Sequence, residues 1–246
     1  MYRYQILIEY VGTNFKGWQV QKIGATVQGI IQEKLSNLLN QKITLIGSGR
    51  TDSGVHAIEQ SAHFDCKNKI SNTLKFIKSI NHFLNDKDIS IKKIRERNSK
   101  FHARYSAKKR IYKYIIFNRL SSPVIEKKRN WHVRNKLDLE LIKKGAKKLI
   151  GTKDFSTFRA ASCNAKTPIR TIDIIKIKNS NRKIEIEFKS QSFLQQQVRS
   201  MVGCLKYLGE NKWTLKKFDE VVKLKKRASC APPAPPEGLF LIKVIY

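Results

Sequence analysis

The order of strand and helix patterns predicts an α+β protein made of two halves, each with the ferredoxin-like order β-α-β-β-α-β. Three observations lead to this prediction. Strand patterns alternate apolar and polar residues, helical patterns carry one apolar stripe, and the composition turns polar and basic at residues 100–106. We expect mixed, mostly antiparallel sheets with helices packed on one side, and an active-site cleft between the halves.

The first half, assigned to residues 1–106, is an N-terminal α+β domain with a glycine-rich loop at residues 47–57. Its patterns predict, in chain order, a strand, a helix, two short strands, a second helix and a last strand. These elements are expected at residues 4–10, 27–39, 43–46, 58–64, 73–84 and 89–97. Thr26 is the expected N-cap of the first helix, and Leu74 is expected to face inward from the second.

The second half, assigned to residues 107–246, is a C-terminal α+β domain with the same order and one additional helix. The elements are expected at residues 110–118, 137–150, 169–178, 183–189, 192–208, 214–223 and 238–246. Residues 169–178 and 183–189 are predicted to pair as a hairpin. Residues 151–167 are expected to form a loop. No sequence identity between the halves is evident, so the repeat is one of topology.

The charge balance predicts a polyanionic partner. Lys and Arg number 50 against 19 Asp and Glu, a net charge of +31, and such an excess most often indicates nucleic acid. An anionic membrane surface is the weaker alternative. We expect a soluble, cytoplasmic protein without a membrane segment, since no apolar run or signal-peptide core is present. The four cysteines are far apart and lack a C-x-x-C pair, which favours reduced, buried thiols.

The glycine-rich loop at residues 47–57 places Asp52 among three glycines. A lone aspartate in such a loop can be a turn cap, a metal ligand, a base or a nucleophile. A metal is poorly supported because no second carboxylate or histidine lies at ligand spacing. The loop also lacks the G-K-[S/T] ending of a phosphate loop. Carboxylate chemistry on an organic substrate and a simple turn cap remain as the alternatives.

Three other side chains are candidates for the same chemistry. An attacking carboxylate must stay ionised, which a nearby cation favours, and Arg199 lies at the margin of a buried helical stripe. Its alternative role is a surface arginine whose stem covers the sheet. Tyr112, at the basic end of its strand, could hold a base by its flat face or pack in the core. Arg50 is two residues from Asp52, although a strand-like path would point it to the other face.

Six motifs give the sequence a family resemblance. They are Y-V-G-T-N-F-K-G-W-Q at residues 10–19, G-R-T-D-S-G-V-H-A at 49–57, F-H-A-R-Y-S-A at 101–107, R-I-Y-K-Y at 110–114, D-F-S-T-F-R at 154–159 and V-R-S-M-V-G at 198–203. The motifs occur in family order across residues 10–239, and through them the chain resembles the tRNA pseudouridine synthase TruA family. The motif at residues 49–57 is highly specific, whereas the others are weak alone.

The resemblance implies an isomerase that converts uridine to pseudouridine in the anticodon arm of tRNA, at positions 38, 39 and 40. It puts the catalytic aspartate at Asp52, its cationic partner at Arg199, the ring that stacks on the target uracil at Tyr112, and a base-extracting side chain at Arg50. It also implies that no cofactor or metal is used. The expected assembly is a homodimer with tRNA lying across both subunits.

The sequence departs from the family pattern at three places. Val11 stands where the family usually has an aspartate, Ser53 replaces a common alanine, and Gln195, Gln196 and Gln197 replace a run that usually includes histidine and methionine.

Two other classes of protein are alternatives to this enzyme. A non-catalytic RNA-binding or ribosome-associated protein would explain the charge but has no need for a carboxylate at Asp52. A zinc base deaminase would carry an H-x-E and a P-C-x-x-C signature, which this chain lacks.

Overall fold

The computed structural model describes residues 1–246 as two compact units. The first comprises Met1–Lys108 together with Phe240–Tyr246, and the second comprises Lys109–Leu239. The closing strand is therefore grouped with the first unit, whereas we assigned it to the second part of the chain. The functional division between residues 1–106 and 107–246 stays a prediction.

Five α-helices and ten strands make up the two units. In chain order they are β1 (Tyr2–Tyr10), α1 (Val27–Leu39), β2 (Ile46–Gly47), β3 (His56–Cys66), α2 (Thr73–His82), β4 (Ile89–Arg97), β5 (Lys109–Asn118), β6 (Trp131–Val133), α3 (Leu139–Leu149), β7 (Gly151–Asp154), β8 (Ile169–Ser180), β9 (Lys183–Ser190), α4 (Gln197–Gly209), α5 (Leu215–Lys223) and β10 (Leu239–Ile245). The predicted α+β class is confirmed, and the sheets are mixed and mostly antiparallel. None of the helices combines the length and apolar character needed to cross a lipid bilayer.

The sheet of the first unit has β3 at its centre. Its strand order is β4-β1-β3-β10, with β1 antiparallel to both β3 and β4. Because β1 occupies one edge of β3, the other edge is shared: β10 runs parallel to it at His56 and Ala57, and β2 runs antiparallel to it at Ala62 and His63. The predicted β-α-β-β-α-β order holds from β1 to β4. The loop between β2 and β3 therefore leaves a strand that pairs with β3 and leads into the start of β3 itself.

Side-chain caps fix where the helices of the first unit begin. Thr26 accepts a hydrogen bond from the amide of Gly29 at 3.2 Å, so the predicted N-cap is confirmed. Helix α2 ends at His82, two residues before the predicted end. Leu74 is 73% exposed, so the prediction that it faces inward is wrong. Its helix instead buries Phe76 and Ile80, which are four residues apart and lie on one face.

The second unit has the sheet order β5-β9-β8-β7, all antiparallel, with β6 parallel to β5. The predicted hairpin of β8 and β9 is confirmed. Two predictions were wrong. The expected loop begins with strand β7, which pairs with β8 over four residues, and α4 begins at Gln197, five residues after the expected start. The helix cannot begin at residue 192 because Gln196 has a φ of 60°, outside the helical region.

Candidate active site

The loop between β2 and β3 is anchored to β3 by buried polar groups. The Ser48 hydroxyl donates to Oε1 of Gln60 at 2.7 Å, and Nε2 of Gln60 donates to the carbonyl of Gly49 at 3.0 Å. The amide of Ser48 also donates to the carbonyl of Ser61 at 2.7 Å. Gln60 is fully buried, so these bonds are shielded from water. The segment that precedes Asp52 is thus held rigidly against β3.

The residues on both sides of Asp52 are bonded to the loop that follows β1. The amide of Trp18 donates to the carbonyl of Thr51 at 3.1 Å, and the Ser53 hydroxyl donates to the carbonyl of Phe15 at 3.0 Å. Asp52 itself is half-buried. Because its two neighbours are held, the position of its carboxylate is set by tertiary structure and not by the turn alone.

Two glycines let these loops approach each other at backbone distance. Gly17 has a φ of +89°, and a Cβ there would lie 2.6 Å from the carbonyl oxygen of Thr51 and 3.2 Å from the carbonyl carbon of Asp52. A Cβ at Gly12 would overlap the carbonyl oxygen of Val55. Both contacts are with backbone, which cannot move aside. In the sequence, the motif at residues 10–19 and the glycine-rich loop at residues 47–57 are separate features, but in the structure they form one substructure.

Tyr10 and His56 complete this substructure. The hydroxyls of Tyr10 and Thr51 lie 2.7 Å apart, and Nδ1 of the buried His56 accepts a hydrogen bond from the amide of Gly12 at 3.0 Å. The His56 ring also lies 4.7 Å from the ring of Phe240, on the closing strand. His56 is therefore a structural residue of the motif. Nowhere in the chain do three or more His, Cys, Asp or Glu side chains group as metal ligands would.

Arg50 lies on the same loop but has a different environment. Its side chain is exposed, whereas Thr51 is buried and Asp52 is half-buried. The structure thus places Arg50 and Asp52 two residues apart on one loop of the first unit, with Arg50 facing solvent. Its role in extracting the base stays a prediction.

In the second unit, Arg199 is held on the first turn of α4. Its Nε donates to the carbonyl of Ala234 at 2.7 Å, and the amide of Ala234 donates back to the carbonyl of Arg199 at 2.9 Å. The side chain is half-buried. These two hydrogen bonds hold the guanidinium group in place. A surface arginine lying over the sheet, the alternative role, would not require them.

The proline-rich segment at residues 231–238 is itself fixed from two sides. The Tyr114 hydroxyl donates to the carbonyl of Pro235 at 2.7 Å, and a Cβ at Gly203 would overlap the carbonyl oxygen of Pro232. Sequence reasoning assigned this segment no role in the site. It missed that the segment holds Arg199. Gly203 in the motif at residues 198–203 was the available signal for a close backbone approach.

Tyr112 lies on β5 in the second unit. Its side chain is 9% exposed, and its ring lies nearly perpendicular to the ring of Phe193, with centroids 5.2 Å apart and planes at 87°. Tyr114, two residues further along the strand, is fully buried. Tyr112 therefore presents only a small part of its ring, and its stacking role stays a prediction.

His63, on β3 of the first unit, has a strongly perturbed proton affinity. Its Nδ1 accepts a hydrogen bond from the amide of Ala103 at 3.1 Å, and the ring of His102 lies 4.8 Å away. Burial and the positive charge of Arg3 lower the pKa of His63 from 6.5 to about 4. The structure therefore keeps this histidine neutral near pH 7.

We expect His63 to make the first unit sensitive to acid. Above pH 6.5 both the folded and unfolded states hold a neutral imidazole; as the pH falls toward 4, only the unfolded state gains the proton. The free energy of unfolding should then be about 2 kcal/mol lower at pH 5 than at pH 7 on account of this group. Urea unfolding at both pH values measures the difference. His63→Asn keeps an acceptor but does not titrate, so its free energy of unfolding should fall by about 2 kcal/mol less between pH 7 and pH 5 than that of the wild type. An equal fall in both proteins contradicts the assignment to His63.

Comparison with known proteins gives a consistent result over the whole chain. A family model described as tRNA pseudouridine synthase matches residues 6–106 and 146–246. The chain is 70% identical over 246 residues to a tRNA pseudouridine synthase A of Pelagibacter ubique (strain HTCC1062), covering all of both chains. It is 39% and 41% identical over 247 residues to proteins of the same name in Parvibaculum lavamentivorans (strain DS-1 / DSM 13023 / NCIMB 13966) and Sinorhizobium fredii (strain NBRC 101917 / NGR234), again over the full length of each chain.

Proposed function

Because the chain belongs to the tRNA pseudouridine synthase family, whose members are isomerases that convert uridine to pseudouridine, we propose that it acts on the anticodon arm of tRNA. The proposed targets are the uridines at positions 38, 39 and 40, and the proposed nucleophile is Asp52. The observation that supports this best is the substructure around Asp52, where both neighbouring residues are bonded to a second loop. A turn cap would not require this support.

The proposed reaction conserves all atoms of the nucleotide. The target uridine first leaves the base stack, which costs a few kcal/mol and least near a loop. Asp52 then attacks C1′ of the sugar or the base as the nucleophile, and the N1–C1′ bond breaks. The uracil turns, C5 bonds to C1′, and the bond to Asp52 breaks, which releases the carboxylate. C5 then loses its proton while N1 gains one. The loss of the C5 proton makes the reaction measurable.

The other predicted residues have distinct roles in this proposal. The Tyr112 ring keeps the detached uracil from escaping, and the Arg199 guanidinium balances the charge of the Asp52 carboxylate. The bonds between Arg199 and Ala234 support a positioned cation. Arg50, exposed on the loop, contacts the RNA as the base is extracted. The net charge of +31 supports binding to the phosphate backbone.

We further propose that the enzyme is a cytoplasmic homodimer that uses no cofactor or metal. A carboxylate nucleophile needs no electron acceptor or Lewis acid, since the isomerisation involves no net oxidation or reduction. Each subunit would contribute its own Asp52, Tyr112 and Arg199, while the tRNA contacts the basic surfaces of both.

The test is tritium release from a tRNA transcript labelled at C5 of every uridine. A transcript with uridine at positions 38, 39 and 40 should release tritium. A second transcript with cytidine at these positions, and opposing stem bases changed to keep pairing, should release none. Equal release from both transcripts would show that the target positions are wrong. Binding without release from either would favour the non-catalytic RNA-binding class instead.

A further inference from the structure

The loop that connects β4 and β5 carries the most exposed aromatic ring of the chain. Tyr105 is 75% exposed, compared with 49% for Phe83 and 37% for Tyr2. It belongs to the motif at residues 101–107, for which neither the family resemblance nor the proposed mechanism supplies a role. A single exposed apolar side chain needs no explanation, so the case depends on how this ring is held.

A neighbouring histidine positions the Tyr105 ring. The rings of His102 and Tyr105 lie 4.4 Å apart, tilted by 31°, which is close to a stacked arrangement. Nδ1 of His102 lies 3.2 Å from the amide of Arg104 and 3.3 Å from the amide of Tyr105, and it accepts hydrogen bonds from both. The carbonyl of His102 accepts a bond from the amide of Ser106 at 2.9 Å. The loop is therefore closed on itself and orients Tyr105 before any ligand binds.

The loop is also tied to the sheet of the first unit. The amide of Ala103 donates to His63 on β3 at 3.1 Å, and the Tyr246 hydroxyl donates to the carbonyl of Ala103 at 2.9 Å. An Nη1 of Arg3, on β1, donates to the carbonyl of Phe101 at 2.8 Å. Two strands, β1 and β3, and the residue after β10 thus fix the base of the loop while its tip stays in solvent. A site built on rigid support loses little conformational entropy when a ligand binds.

The charges around Tyr105 select an anionic ligand. Residues 97–108 of the first unit contain four Lys and Arg and no Asp or Glu. The guanidinium carbon of Arg104 lies 5.6 Å from the centroid of the Tyr105 ring. An exposed flat ring beside a planar cation is the combination by which proteins hold a base on its face and its phosphate by charge.

We propose that Tyr105 stacks on an unpaired nucleotide of the bound tRNA and that Arg104 contacts the adjoining phosphate. A paired base is excluded because its faces are covered by its neighbours in the helix. The site is made of residues other than Asp52, Tyr112, Arg199 and Arg50, so it contributes to holding the RNA and not to the chemical step. This inference rests on the proposed tRNA substrate.

Fluorescence anisotropy with three labelled probes tests the proposal: a tRNA transcript, a single-stranded oligouridine of twelve nucleotides and an RNA duplex of twelve base pairs. Tyr105→Ala should weaken binding of the tRNA and the oligouridine about tenfold, since stacking is lost, and leave duplex binding unchanged. Tyr105→Phe keeps the ring and should bind as the wild type does. Phe83→Ala is the matched control, because Phe83 is also an exposed ring beside a histidine, with His82 at 5.6 Å.

Salt dependence separates stacking from charge. The slope of log affinity against log salt should stay the same in Tyr105→Ala and become shallower by about 0.7 in Arg104→Ala, the value for one phosphate of a single strand. The proposal is overturned if Tyr105→Ala binds the oligouridine like the wild type, if Tyr105→Phe loses as much as Tyr105→Ala, or if Phe83→Ala loses equally. Anisotropy reports binding whether or not the tRNA is modified. A wild type that binds tRNA but releases no tritium would therefore refute the proposed function and leave the Tyr105 site standing.

Discussion

Asp52→Asn is expected to abolish tritium release from labelled tRNA while tRNA binding remains. Removal of a nucleophile typically lowers kcat by at least about 10⁴-fold, because no neighbouring group replaces the covalent step. Asparagine has the shape of aspartate, so the bonds that hold Thr51 and Ser53 should persist. The loss should therefore appear in kcat, with little change in the dissociation constant of the tRNA.

The matched control is Asp86→Asn. Asp86 is an exposed aspartate of the first unit, next to Lys87, and both substitutions make the net charge more positive by one. Any gain in RNA affinity from the charge change should thus be shared by the two variants, while only Asp52→Asn loses turnover. Tritium release from Asp52→Asn at the wild-type rate would remove Asp52 from the chemistry and return it to the turn-cap alternative.

Gly17→Ala is expected to lower both stability and activity strongly. The positive φ of Gly17 strains any other residue by about 1 kcal/mol, and the added Cβ would lie 2.6 Å from the carbonyl oxygen of Thr51. Overpacking against a backbone that cannot move costs about 1–3 kcal/mol more. Relief of this contact displaces the residues that flank Asp52, so turnover should fall beyond what the loss of stability explains.

Gly24→Ala separates strain from the backbone contact. Gly24 has a φ of +94°, against +89° for Gly17, and the atoms nearest to its added Cβ belong to the exposed side chain of Lys16, with Cγ at 2.7 Å, and not to backbone. Urea unfolding should show a loss of about 1 kcal/mol for Gly24→Ala and about three times as much for Gly17→Ala. Equal losses, with turnover kept in both, would show that the contact between the two loops does not position Asp52.

Features of the fold that depend on neighbouring residues could be predicted from the sequence. The Thr26 cap needs only the amide of Gly29, three residues away, and the hairpin of β8 and β9 needs only a short turn. Strand β7 could not be predicted in this way. It consists of four residues, and its strand conformation is imposed by pairing with β8 about twenty residues later.

The same distinction applies to the candidate site. The glycine density around Asp52 and the helical spacing around Arg199 are local patterns, and both residues could be named from them. The groups that hold them are distant in sequence: Trp18 donates to Thr51, and Ala234 binds Arg199. Such contacts between loops leave no periodic signal. The small exposure of Tyr112 is likewise set by Phe193, eighty-one positions along the chain.

The closing strand gives the molecule a particular order of assembly during synthesis. Strand β10 pairs with His56 and Ala57, immediately after the Asp52 loop, yet the ribosome makes it only after residues 109–239. At about 5–20 residues per second, the edge of β3 at His56 and Ala57 lacks its partner strand β10 for on the order of ten seconds. The His56 ring meets Phe240 at the same late stage. The Asp52 loop therefore reaches its final form among the last parts of the newly made chain.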